Sequence, residues 1–244
     1  PRPNKKNISN HYSKDFISYQ FESNEINKSI NDKLLSFVTQ TSANSKLKIA
    51  EKIFKFKQDF KVLDLGCGRQ LFLKLLKEKY QCQVLGIDFD LATVEYCRKI
   101  LQIDTQQGSY QALNDVKSEF DLITMWHYLE HEYEPKSVLN IVHSALKNNG
   151  RVIIEVPNID SLENSIFGKN SYLLDMPRHL YHFSLETLSE LLKSEGFEVE
   201  STFFPIFSGG YIGTFQRLLC KGKIYKSLKR NMPMFMFLSF ISLP

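Results

Sequence analysis

The chain has 244 residues, with 31 Lys+Arg against 27 Asp+Glu, a formal charge of +4. Its 43% apolar and 24% charged residues are globular usage, which excludes a wholly disordered chain or a fibrous repeat. The length suits one large α/β domain or two small ones, and +4 alone does not point to nucleic acid.

The charge is unevenly spread. Residues 201–244 have no Asp or Glu but carry Arg217, Lys221, Lys223, Lys226, Lys229 and Arg230, so the other 200 residues sum to −2 (25 − 27). Cys67, Cys82, Cys97 and Cys220 show neither CxxC spacing nor a Cys/His zinc pattern, so reduced thiols in a cytoplasmic protein are expected.

In chain order, residues 1–15 are polar with no apolar leader segment, and the absent initiator Met suggests a trimmed start. Leu34, Leu35 and Val38, then Leu47, Ile49, Ile53, Phe54 and Phe56, recur at helical spacing and predict two helices broken near 42–45. KVLDLG (61–66) predicts a strand closing in a glycine turn, LFLKLLKEKY (71–80) a helix, CQVLGIDF (82–89) a strand and LATVEYCRKIL (91–101) a helix. A weak third strand follows near 104–109, then a strand at 119–126, a helix at 135–147 and a strand at 151–157. The pattern ends with a helix at 185–196 and a sixth strand at 197–204; a seventh is not visible, as if the final strand were missing. Strands alternating with helices predict a doubly wound, mostly parallel α/β sheet, with ligands at the carboxyl ends of its strands. The apolar run in 232–244 is about 10 residues, where a membrane span needs roughly 20.

The first such loop reads Asp64-Leu65-Gly66-Cys67-Gly68-Arg69-Gln70-Leu71. Its two glycines allow a tight turn and close approach of backbone to a ligand, but GxGxxG fails at Leu71, which excludes the dinucleotide fingerprint. Asp88 stands 20 residues after Gly68 at the end of the second strand, the place of a carboxylate that takes both ribose hydroxyls. Its plain alternative is a helix N-cap, a role open to Asp90 as well.

VLDLGCG, GIDFD and FDLITMWHYLEH, in that order, resemble the class I S-adenosylmethionine-dependent methyltransferases. DMPRHLYHFSLETLSELLKSEGF is similar to the small-molecule branch that holds the ubiquinone-pathway O-methyltransferases and enzymes of surface-glycan and lipid clusters. The resemblance covers about residues 45–204 and implies a Rossmann-like sheet with S-adenosylmethionine as cofactor. It implies Asp64, Gly66, Cys67 and Gly68 around the methionine moiety, with Asp64 near its ammonium, Asp88 on the ribose and Phe89 against the adenine. Ser109 and Tyr110 would lie by the adenine amino group, and Met125, Trp126 and His127 beside the sulfonium. The family usually has a third glycine where this chain has Gln70, and often Asp at Ser109. The organisation expected is an N-terminal helical cap (1–58), a methyltransferase domain (59–204) with the insertion 158–183 as substrate lid, and a basic and apolar segment (205–244).

Methyl transfer from a sulfonium asks mainly for position, plus a base if the acceptor is a hydroxyl. His131 is the first candidate for that base, then His127, an i,i+4 pair if the segment is helical, with His182 third and Glu130 available to orient one of them. Each has a structural alternative, in capping or packing. The segment Thr124-Met125-Trp126-His127 lacks the N-P-P-aromatic turn of amino-methylating enzymes, which favours a hydroxyl on a small molecule, glycan or lipid-linked acceptor. No resident metal is expected. The alternative is a divalent ion on His127, Glu130, His131 and His179 or His182, where related RNA 2′-O- and quinone methyltransferases have an ExxEH arrangement. No DNA partner is expected. An RNA methyltransferase and a catalytically silent binding domain are rival readings, the latter drawing on Gln70 and Ser109. Residues 217–243 suit either peripheral contact with an anionic membrane or a solvated basic face.

Overall fold

The computed structural model describes Pro3, residues 30–69 and residues 71–204. The sequence readings that rest on Gln70 and on residues 205–244 lie outside the described residues.

One helix, α1 (Ile30–Ile53), replaces the two expected. Residues 42–45 contain weak helix formers but no Gly or Pro, so nothing forces a break. Ala43, Lys46, Leu47 and Ala50 form one buried stripe straight across that stretch.

Then follow β1 (Lys61–Leu65), α2 (Phe72–Tyr80), β2 (Gln83–Asp88), α3 (Leu91–Tyr96) with a π turn at Cys97–Leu101, and β3 (Thr105–Gln107). β4 (Phe120–Trp126), α4 (Pro135–Ala145) and β5 (Leu146–Glu155) complete the alternation. The insertion holds α5 (Leu162–Phe167) and short 3-10 turns, and α6 (Leu185–Ser194) closes the described chain. The five strands pair in parallel in the order β3-β2-β1-β4-β5. Their side chains split into two apolar layers, one with Val62, Leu76 and Trp126, the other with Leu63, Ile123 and Met125. The sheet is therefore covered on both faces, as a Rossmann-like sheet is.

The expected sixth strand does not join the sheet. Burial alternates along 197–200 as in a strand, with Phe197 and Val199 half-buried and Glu198 and Glu200 exposed, but no backbone ladder to β5 forms. Side chains hold the segment instead: Phe197 packs edge-on to His143 at 5.2 Å and Glu200 pairs with Arg151 at 2.9 Å. Beside β5 lies an open, largely apolar groove of about 1120 Å³, with Trp126, His127 and Glu155 in its lining.

Candidate active site at the ends of β1, β2 and β4

Strand order reverses between β1 and β4, so their carboxyl ends flank the crevice in which open α/β sheets take ligands. Past β1, Gly66 and Gly68 adopt φ of +70° and +53°, values that favour glycine. The turn is tied to β2 by Gly66 and Cys67 N–H groups donating to the Ile87 carbonyl at 2.8 and 3.1 Å. Gly68 N–H donates to Asp88 Oδ2 at 2.9 Å, while Asp90 N–H donates to Asp88 Oδ1 at 2.9 Å. Burial raises the Asp88 pKa and these backbone bonds oppose it. The helix cap belongs to Asp90, which accepts Thr93 N–H at 2.8 Å, so Asp88 is left facing the turn. Beneath the turn, Cys67 and Cys97 are buried thiols, and Cys97 Sγ donates to the Gly68 carbonyl at 3.3 Å.

Asp64 is fully buried and accepts the Thr124 hydroxyl at 2.6 Å. Burial pushes its pKa up to about 7, against the pull of Thr124 and Lys46. Lys46, reaching over from α1, places Nζ 4.9 Å from the centre of the Trp126 ring, with its charge near Asp64 and Glu155; its own burial lowers its pKa. Trp126 packs edge-on to Phe72 at 5.4 Å, and its buried indole N–H has no hydrogen-bond partner among the described residues. Met125 points to the opposite sheet face, wholly buried among Ile123 and Leu139, so its side chain contributes to the core.

Phe89, 59% exposed, follows Asp88 in the chain. Ser109 spends its hydroxyl on capping the 3-10 turn Tyr110–Leu113, accepting Gln111 N–H at 3.4 Å. Tyr110 is buried, and its N–H donates to Tyr128 Oη at 3.2 Å.

The expected helical pairing of His127 with His131 does not form. His127 has φ +56°, and the turn after it is a single 3-10 turn, Leu129–His131, too short to carry an i,i+4 pair. Instead His127 Nδ1 lies 3.2 Å from Glu130 Oε1, and its Nε2 lies 3.7 Å from Glu155 Oε1. Burial works to lower the His127 pKa, but Glu130 and Glu155 raise it overall. His131 turns to the insertion: its Nδ1 sits 3.0 Å from the Arg178 carbonyl and its ring stands edge-on to His179 at 4.8 Å.

The insertion is stitched to the same turn, Leu180 and Tyr181 N–H groups donating to the Glu130 carbonyl at 2.8 and 3.2 Å. His179 Nδ1 lies 2.8 Å from the Leu173 carbonyl, and burial together with His131 pushes the His179 pKa down to about 4. His182 is engaged through Nε2 with the Leu174 carbonyl at 2.8 Å. Ligand atoms of Glu130, His131 and His179 all lie within 4.8 Å of one another. Burial would raise the Glu130 pKa, but His127, His131 and His179 hold it below the usual carboxylate range, and Glu130 Oε2 is buried without a hydrogen-bond partner among the described residues. In the insertion Phe167, Tyr172, Leu173 and Leu174 are half-buried, while Met176 is 64% exposed.

Sequence reasoning missed Lys46, Tyr128 and Glu155. A lysine flanked by Ala43, Leu47 and Ala50 on the apolar stripe of a helix was the legible signal for Lys46. Tyr128 and Glu155 carried none, because their roles depend on which strand ends become neighbours.

The model of the methyltransferase domain family matches residues 28–202. The chain belongs to that family. A Mycolicibacterium smegmatis protein provisionally named an S-adenosylmethionine-dependent methyltransferase is 27% identical over 149 residues, 61% of this chain and 55% of that one. The mitochondrial ubiquinone biosynthesis O-methyltransferase of Saccharomyces cerevisiae is 28% identical over 173 residues, 67% of this chain and 52% of that one. Thus this methyltransferase domain spans about half the length of the curated relatives it matches. In fold it resembles phosphoethanolamine N-methyltransferase 2 of Haemonchus contortus, solved with S-adenosyl-L-methionine: TM-score 0.56, 18% identity, covering 82% of this chain and 47% of that one. Among the described residues no helix is long and apolar enough to cross a membrane.

Proposed function

We propose that this domain transfers the methyl group of S-adenosylmethionine to a hydroxyl of a small-molecule, sugar or lipid-linked acceptor. The observation that carries the reading is the bracketing of one glycine turn by two buried acids, Asp64 before it and Asp88 bonded into it. Asp64 faces the cofactor's ammonium, and Lys46 supplies the opposite charge for its carboxylate, so the zwitterionic amino-acid end meets a complementary pair. Asp88 retains lone pairs for the ribose hydroxyls. Phe89 offers an exposed ring to the adenine.

Displacement at the methyl carbon is in line: the acceptor oxygen forms the new bond as the sulfonium takes the electron pair of the breaking one. For the acceptor's proton, the arrangement favours His127 over His131. Glu130 holds one nitrogen of His127, whose side chain remains half exposed at the end of β4, whereas His131 is turned to Arg178 and His179.

A second element of this reading is a divalent cation of the zinc type on Glu130, His131 and His179. The donor set fits: each imidazole sets its Nδ1 against a backbone carbonyl, the support that metal-bound histidines generally have, and Glu130 keeps an unpartnered buried oxygen. Bound there, the cation would supply Lewis-acid polarisation of an acceptor oxygen. The chain's part is to aim those three side chains and to leave His127 for the proton.

The test is calorimetric titration with S-adenosylhomocysteine, followed by transfer of labelled methyl from the donor to extracted metabolites. Saturable binding and label on a hydroxyl are expected. No heat at millimolar ligand would favour a silent binding domain.

A further inference from the structure

Tyr128 occupies the switch point itself. It leaves the end of β4 and lays its ring on Gly66 at the end of β1, so closely that a Cβ at Gly66 would stand 2.6 Å from Tyr128 Cδ2. Its hydroxyl spans to the loop after β3, accepting Tyr110 N–H at 3.2 Å, and it is hydrogen-bonded to the Glu132 side chain as well. Two of the features assigned above to the cofactor, the bare face of Gly66 and the loop of Ser109 and Tyr110, meet at this one side chain. The residue before it is His127, held at φ +56°, a backbone conformation that costs a non-glycine residue of order 1 kcal/mol or more and persists where surroundings impose it.

We infer that Tyr128 is a gate: its ring and hydroxyl close the crevice at Gly66 and the loop after β3, and the cofactor enters only when that side chain swings off Gly66 and releases Tyr110 N–H. A ligand that packs on the α-carbon of Gly66 and bonds to the β3 loop needs the space that the ring fills and the N–H that the hydroxyl holds. Tyr128 is at the same time the link between His127 and the turn Leu129–His131, so its swing carries strain through the backbone that sets the His127–Glu130 contact. Cofactor entry and the placing of the base are thereby one movement, which favours cofactor binding before acceptor. The inference rests on the cofactor reading given above.

The protein reports on itself, because Trp126, two residues away, is its only tryptophan. Wild type, Tyr128→Phe and Tyr128→Ala are mixed with S-adenosylhomocysteine in a stopped-flow fluorimeter, with thermal melts to show that each variant is folded. In wild type the observed rate should level off with ligand concentration, limited by opening. In Tyr128→Ala it should rise linearly, and be at least about tenfold faster at the concentrations where wild type has levelled off. Tyr128→Phe, which keeps the ring but loses the hydroxyl's bonds to Tyr110 N–H and to Glu132, should open at least about threefold faster, since one neutral hydrogen bond alone is worth about three- to tenfold. Equal association rates in all three would overturn the gate and leave the cofactor reading intact. Slower association in Tyr128→Ala would overturn it too, marking the ring as a wall of the bound state. Failure of every form, wild type included, to bind would sink both.

Discussion

Asp88 Oδ2 accepts Gly68 N–H at 2.9 Å, so the acid that ends β2 also fixes the shape of the turn that follows β1. Asp88→Ala therefore removes two things at once, the expected ribose contacts and a brace of the turn. We expect cofactor affinity to fall about 10- to 100-fold, as loss of hydrogen bonds to a charged group does, with a lower melting temperature. Calorimetry and thermal melts separate the two effects. An unchanged dissociation constant would mean that the sugar is held elsewhere.

Asp64 makes both stability and binding depend on pH, in opposite senses. Its folded pKa of about 7 lies above the ordinary 3.8, so between those values the native state keeps a proton that the unfolded chain has lost. Stability attributable to Asp64 thus falls as pH rises from about 4 to 7, by about 4 kcal/mol at most, and Asp64→Asn should flatten that slope in urea titrations. The cofactor's ammonium prefers the carboxylate, so affinity should rise with pH across the same window in wild type and lose that dependence in Asp64→Asn.

Gly86, inside β2, makes room for the sulfur beneath the cofactor turn. A Cβ there would stand 2.7 Å from Cys67 Sγ and 3.3 Å from Thr105 Cγ2. We expect Gly86→Ala to cost about 1–3 kcal/mol, the usual penalty of overpacking, and Cys67→Ala in the same chain to restore part of it. Urea unfolding of both would check this; no recovery would show that the strain lies elsewhere.

His127→Ala should lower kcat by about 10²- to 10⁴-fold with little change in cofactor affinity, as expected for a general base. His131→Ala should instead reduce bound zinc, read by elemental analysis alongside activity. If His131→Ala matched His127→Ala in kcat while zinc content and chelator sensitivity stayed as in wild type, the assignment of the base would revert to His131.

Much of this was legible in the sequence, and for physical reasons. Apolar runs of strand length separated by helical repeats are what a doubly covered parallel sheet requires, and Asp64, Gly66, Gly68 and Asp88 sit within a few residues of the strand ends that locate them. Contacts made across the fold were not legible. His127 and His131 have the spacing of an i,i+4 pair only if the segment is helical, and whether it is depends on contacts across the fold: the backbone is left-handed at His127, Tyr128 lies on Gly66 and the insertion bonds to Glu130. The segment 197–204 read as a strand, and burial does alternate along 197–200, yet a strand exists only where a neighbouring edge bonds to it. His179 drew attention only as one of a cluster; its meeting with His131 depends on how 158–183 folds back.

The long first helix brings to the interior the ammonium that Asp64 and Glu155 share. A chain trimmed at the loop between Phe54 and Phe60 would keep every strand and both glycines, yet Asp64 and Glu155 would each lose the cation beside them. Such a fragment should be a poor scaffold for engineering. The preceding helix, although it adds nothing to the sheet, is an electrical part of the catalytic unit rather than a detachable preface to it.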